Sequence, residues 1–181
     1  GRVVATIGTQ EGLIVPQILS AVEQADGTIL AGSDGDGVYQ IKDGVIVGHI
    51  GLEEGLQSMV ILRIVPCRGG YLYVTSNGLY YQGNGENVRR LHSFPYQNNY
   101  DIYITADGEA WVSSSAGIYV VDEQQLIEDG EYQCVLLNRN RGFHTTLTAN
   151  AWNAAAGEEL YLCCTDGVRK INSKTYDDLN D

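Results

Sequence analysis

Basic residues are scarce in this chain: 11 Lys and Arg stand against 23 Asp and Glu among 181 residues, a formal net charge of −12. That deficit disfavours nucleic acid and anionic membrane as partners, because both select for a basic surface. Long apolar runs are also missing. None approaches the roughly 20 residues that span a bilayer, so the chain makes no direct insertion through a helix. Proline (3), methionine (1) and phenylalanine (2) are sparse, whereas glycine (22) and tyrosine (12) are plentiful. Few prolines with many glycines and aromatics favour short strands joined by tight turns. The start, Gly1-Arg2-Val3-Val4, carries no signal peptide and reads as a piece excised from something longer.

Metal and catalytic signatures are absent too. Cys67, Cys134, Cys163 and Cys164 include no Cys-x-x-Cys pair, and no histidine sits at ligand spacing from them. They read as small, mostly buried hydrophobes, with neither metal nor disulfide pairing specified. His49, His92 and His144 occupy non-equivalent positions, which keeps them from converging on a metal or an acid–base centre. Ser33-Asp34-Gly35-Asp36-Gly37 alternates carboxylates but lacks the third Asp and distal Glu of a calcium loop, and reads as a solvated turn. The acidic pairs Glu128-Asp129 and Asp177-Asp178 read as solvated loop and tail. Without a Gly-x-Ser-x-Gly elbow, a phosphate loop or a dinucleotide fingerprint, no catalytic residue and no cofactor is expected.

What is present is a repeat. Four segments share a turn, a strand, a small-residue pair, a glycine and a second strand. They are Asp26-Gly27-Thr28-Ile29-Leu30-Ala31-Gly32-Ser33 with Gly37-Val38-Tyr39, and Gly69-Gly70-Tyr71-Leu72-Tyr73-Val74-Thr75-Ser76 with Gly78-Leu79-Tyr80. The third is Asp107-Gly108-Glu109-Ala110-Trp111-Val112-Ser113-Ser114 with Gly117-Ile118-Tyr119, and the fourth Gly157-Glu158-Glu159-Leu160-Tyr161-Leu162-Cys163-Cys164 with Gly167-Val168. The glycines at 37, 78, 117 and 167 are spaced 41, 39 and 50 residues apart. An apolar stretch precedes each turn (residues 18–22, 60–65, 100–104 and 148–152), and a closing strand follows in three repeats (45–50, 88–91 and 132–137). Four antiparallel strands per roughly 40 residues is the period of a β-propeller blade. The expected fold is therefore all-β, with about four four-stranded antiparallel blades in repeats near 15–50, 58–94, 98–137 and 147–176. Only residues 124–128 could make a helical turn. Trp111 is expected to be buried between neighbouring blades.

The ends of this pattern are uneven. Residues 2–8 look like a fourth strand with no blade before it, while the last repeat has no convincing fourth strand. Either the N-terminal strand completes the C-terminal blade or an edge of another copy, or the chain is a fragment of a longer propeller. An unpaired edge is otherwise an aggregation hazard.

The unit around Ala110-Trp111-Val112-Ser113-Ser114-Ser115-Ala116-Gly117-Ile118-Tyr119 resembles the two-component regulator propeller repeat, with looser copies at residues 29–39, 72–80 and 160–168. Gly51-Leu52-Glu53-Glu54-Gly55-Leu56 resembles the acidic linker that joins such repeats. The resemblance implies an extracytoplasmic sensor of a bacterial membrane-bound signalling protein, one that binds a small molecule or carbohydrate. The chain departs from that family in having only four repeats and no output domain. A propeller lyase or glycosidase, and a protein–protein platform, are the alternatives from other classes.

A site is suggested by the longer third spacing. Its surplus falls at Asn138-Arg139-Asn140-Arg141-Gly142-Phe143-His144-Thr145-Thr146, between two blades, with two of the few basic residues and an exposed Phe143. The corresponding earlier loop is Tyr96-Gln97-Asn98-Asn99-Tyr100. Aromatic faces with amide and guanidinium donors suit a sugar or small carboxylated ligand. The expected ligand residues are Arg141, Trp152, Asn153, Tyr100 and Asn98. A homodimer, or missing blades of a parent protein, are the other expected partners.

Overall fold

Glycines at turn positions and apolar alternation between them dictate a strand-rich chain, and a computed structural model of the protein, describing residues 1–95 and 98–176, has that character. Four antiparallel sheets follow one another along the chain. The first holds β1 (Ile18–Glu23), β2 (Ile29–Ser33), β3 (Val38–Lys42) and β4 (Val45–Ile50), and the second β5 (Ile61–Cys67), β6 (Gly70–Thr75), β7 (Gly78–Gly83) and β8 (Arg89–Arg90). The third holds β9 (Asn99–Ile104), β10 (Glu109–Ser114), β11 (Gly117–Asp122) and β12 (Val135–Leu137). The fourth has three strands, β13 (Ala154–Ala156), β14 (Glu159–Cys164) and β15 (Gly167–Asn172). These are the blades read from the repeat.

The chain divides into two compact units, Gly1–Arg90 and Leu91–Asp181, each with two sheets. In the first unit Leu30, Val38, Ile61, Tyr73 and Tyr80 form a core in which each side chain is almost wholly buried. In the second, Trp111 is 1% exposed and packs with Ile118, Leu137, Leu160 and Leu162, so it lies between the third and fourth sheets as expected. Its indole Nε1 donates to Glu109 at 3.1 Å, and Glu109 also accepts from the Tyr176 hydroxyl at 3.0 Å.

The register shows why glycine stands at the start of the third strand in the first and third sheets. Gly117 has φ +129°, and a Cβ there would stand 2.3 Å from the Leu137 carbonyl oxygen. Gly37, at φ +68°, meets the Ile50 carbonyl oxygen at the same 2.3 Å. Only a residue without Cβ allows the fourth strand so close.

Several expectations are corrected. The helical turn expected at 124–128 begins one residue earlier, as α1 (Glu123–Glu128), capped where the Asp122 carboxylate accepts from Gln125 N at 2.9 Å, and short 3-10 turns occur at Thr9–Glu11 and Arg139–Arg141 as well. The first strand of the last sheet, expected at 148–152, runs at Ala154–Ala156. Thr148 N still donates to Cys163 O, so the strand is interrupted by residues 149–153 rather than displaced. Phe143 is buried at 6% in the Trp111 cluster, which pins the long loop instead of leaving an aromatic in solvent. Residues 1–7 belong to no sheet, and β15 pairs only with β14 among the described residues. The Asp177-Asp178 pair and Tyr96-Gln97 lie outside the described residues.

Candidate ligand-binding cleft

The third sheet presents one face to a cleft through its cross-strand pairs. Asp101 pairs with Ser113 and Tyr103 with Trp111, and paired residues share a face. The register shift between Ser113 and Ser114 is a bulge at the start of β9, a device that re-aims side chains. The fourth sheet faces the cleft with Leu160 and Leu162 on β14 and Ala154 and Ala155 on β13. Between them is a cavity of about 150 Å³, its floor made by Trp111, Ile118, Leu160 and Leu162.

The rim is polar on one side and aromatic on the other. Asn153 Nδ2 donates to Asp101 Oδ2 at 3.3 Å, and Asn153 Oδ1 accepts from Cys163 N at 3.0 Å. Asp101 Oδ1 also accepts from Ile102 N at 2.9 Å. This network fixes a carboxylate and an amide side by side at the mouth. Trp152 stands next to them with 63% of its surface exposed, held through its backbone, whose carbonyl accepts from Cys163 Sγ at 3.2 Å. A large indole in solvent is the informative kind of exposure. The arrangement can stack one flat apolar face and exchange hydrogen bonds with hydroxyl groups, over an apolar floor.

The structure separates the expected site residues. Trp152 and Asn153 line this cleft. Tyr100 is half-buried and packs into the Trp111 cluster just behind it. Asn98 is exposed, with its carbonyl accepting from Ser115 N at 2.9 Å at the β10–β11 hairpin. Arg141 closes a 3-10 turn, Arg139–Arg141, where its N–H donates to Asn138 O at 2.9 Å, and its side chain is outside the cleft lining. The insertion shapes two other hollows. One, of about 270 Å³, is bounded by Ser115, Asn138, Arg139 and Asn140. Another, of about 330 Å³, is bounded by His144, Thr145, Arg169 and Tyr176. There Arg169 and the Thr145 hydroxyl both bond Asp166, and the Arg169 contact first of all holds the Asp166 carboxyl below its ordinary range.

Asp101 and Tyr103 are the cleft residues that sequence reasoning missed. Their signal is the alternation along residues 99–104, which puts both on the face shared with Trp111, and it lies in a strand rather than in the loops. Among the described residues no group of three or more His, Cys, Asp or Glu is placed to hold a metal ion.

Together the sheets and this cleft define a β-propeller segment, and solved structures share that fold. The extracellular domain of BT4673 from B. thetaiotaomicron, described as a hybrid two component system, superposes with a TM-score of 0.70 at 15% identity, covering 90% of this chain and 23% of that one. The corresponding domain of BT3049 from the same organism gives 0.67 at 16%, over 91% and 23%. Virginiamycin B lyase from Staphylococcus aureus gives 0.57 at 13%, over 87% and 56%. The chain thus spans about a quarter of the length of the two extracellular domains. No protein-family model and no curated protein matches the sequence.

Proposed function

We propose that this chain is a ligand-sensing segment of an extracytoplasmic propeller in a bacterial two-component or diguanylate cyclase signalling protein, and that it works by binding rather than turnover. The observation that carries the reading is the exposed Trp152 indole beside the Asn153–Asp101 pair, above an apolar floor. A saccharide matches that chemistry, since its C–H face stacks on an indole and its hydroxyls both donate to a carboxylate and accept from an amide. The fold shared with extracellular domains of signalling proteins supports the setting. Occupancy would be passed on as a change in blade packing.

Calorimetry or thermal shift against a saccharide and small-acid library is the test. Trp152→Ala and Asp101→Asn should each weaken a hit by about 1–3 kcal/mol, roughly 5- to 150-fold, without unfolding the chain. An Arg141→Ala arm separates the cleft from the insertion loop. Loss of binding there, with Trp152→Ala unaffected, moves the site to Arg141 and Asn98. Recovery of a chemically altered ligand would replace sensing by catalysis.

A further inference from the structure

Three linkers in this chain have one construction. Residues 8–13, Gly8-Thr9-Gln10-Glu11-Gly12-Leu13, match residues 51–56, Gly51-Leu52-Glu53-Glu54-Gly55-Leu56, in sequence and in bonding. In the first, Gly8 N donates to Glu11 Oε2 at 2.7 Å and Leu13 N to Gly8 O at 3.1 Å. In the second, Gly51 N donates to Glu54 Oε2 at 2.7 Å and Leu56 N to Gly51 O at 3.1 Å. The third, Asn138 to Phe143, repeats the long bond, with Phe143 N donating to Asn138 O at 2.9 Å. Each ends on a buried apolar residue: Leu13, Leu56 or Phe143.

The second and third linkers follow directly on a fourth strand, β4 ending at Ile50 and β12 ending at Leu137. By position, residues 3–7 are a fourth strand as well, with Ile7 in the place of Ile50 and Leu137. They pair with nothing in any sheet, and Val3 and Val4 are 80% and 90% exposed. Ile7 is half-buried against Leu13 and Tyr39, which tethers the segment at one end.

The fourth sheet has the complementary gap. Ile50 lies opposite Val38, the residue after Gly37, and Leu137 lies opposite Ile118, the residue after Gly117. The equivalent Val168, after Gly167, is 68% exposed. Gly167 also keeps the special backbone of its counterparts, φ +130°, yet a Cβ there would meet nothing within 4 Å. At Gly37 and Gly117 that space is filled by the carbonyl of the fourth strand. Gly167 is shaped for a fourth strand, and none stands beside it among the described residues.

We propose that the open edge of β15 is a docking surface for residues 3–7 of a second copy of this chain, antiparallel, with Ile7 opposite Val168 and Val4 opposite Ile171. Main-chain hydrogen bonds along the edge supply the affinity, and the aliphatic pairs fix the register. Neither Thr6, opposite Arg169, nor Ala5, opposite Lys170, brings a charge to the edge. Each copy offers one donor strand and one acceptor edge, so the contact is heterologous and copies join head to tail.

Sedimentation velocity on the 181-residue chain, from low to high micromolar at moderate salt, is the test. A mass rising with concentration above the 19.7 kDa of one chain is expected. Deleting residues 1–6 should leave a folded monomer, since those residues belong to no sheet. Val168→Asp should do the same from the acceptor side, and Gly167→Ala is the second acceptor variant should Val168→Asp misfold. An equimolar mixture of the deletion chain and the acceptor variant should regain a heterodimer, because one keeps the edge and the other the strand. A wild-type monomer at every concentration, self-association unchanged in both variants, or a mixture that stays monomeric would each overturn the proposal.

Discussion

Asp26 shows how much one turn residue does. It sits in the β1–β2 hairpin, where its carboxylate accepts from the Thr28 N–H and the Thr28 hydroxyl, each at 3.0 Å, and from Lys42 Nζ at 3.1 Å. Those bonds, the Thr28 N–H foremost, hold its pKa at about 2. A carboxyl depressed in the folded state contributes stability above its unfolded pKa of about 3.9, and that contribution fades as pH falls through the folded value. Asp26→Asn should therefore melt below the wild type at neutral pH, with the gap closing between about pH 4 and pH 2. Thermal melts across that range check it, and a gap that is constant with pH would show the charge to be irrelevant. The turn itself was legible, because Asp-Gly is a local signal. The carboxylate of the cleft, Asp101, was not, since its role depends on Asn153, 52 residues away in the chain.

Among the elements, the fourth strands vary most: six residues in β4, two in β8 and three in β12. β12 is short because α1 and the loop after it intervene, held where the Asp129 carboxylate accepts from His92 N and Ser93 N, both at 2.8 Å. A short or basic outer strand also resists stray pairing. Gly117→Ala should cost about 1–3 kcal/mol for the positive φ alone, and more because its Cβ would strike the Leu137 carbonyl. Gly167→Ala carries only the φ cost, because its surroundings are open. Urea denaturation should rank Gly117→Ala clearly below Gly167→Ala, and equal losses would mean that the β12 carbonyl yields. The positions of the second and third strands could be read from sequence, since glycine and alternation act within a few residues. The break in the strand before Ala154 could not, because residues 148–153 are held there by bonds to Cys163, ten or more residues on.

At the scale of the whole molecule, charge is the dominant unbalanced influence. A net −12 on 181 residues is self-repulsive in the compact state. The ion pairs that offset it, such as Lys42–Asp26 and Lys174–Glu158, are exposed, and solvent screening keeps each of them weak. Screening should relieve the repulsion more than it weakens these pairs. The melting temperature should therefore rise as ionic strength goes from about 0.01 M to 0.15 M, over which the Debye length falls from about 30 Å to about 8 Å. Melting that falls with salt would show that the ion pairs outweigh the net repulsion.

Charge, strand content and blade period followed from the sequence by itself, because composition and contacts a few residues apart determine them. Tertiary structure alone decided that Phe143 goes inside, that Trp152 stays outside beside Asp101, and that among the described residues β15 has β14 as its one strand partner. Those outcomes depend on which faces meet after distant strands have packed, and the spacing of residues along a chain does not specify that.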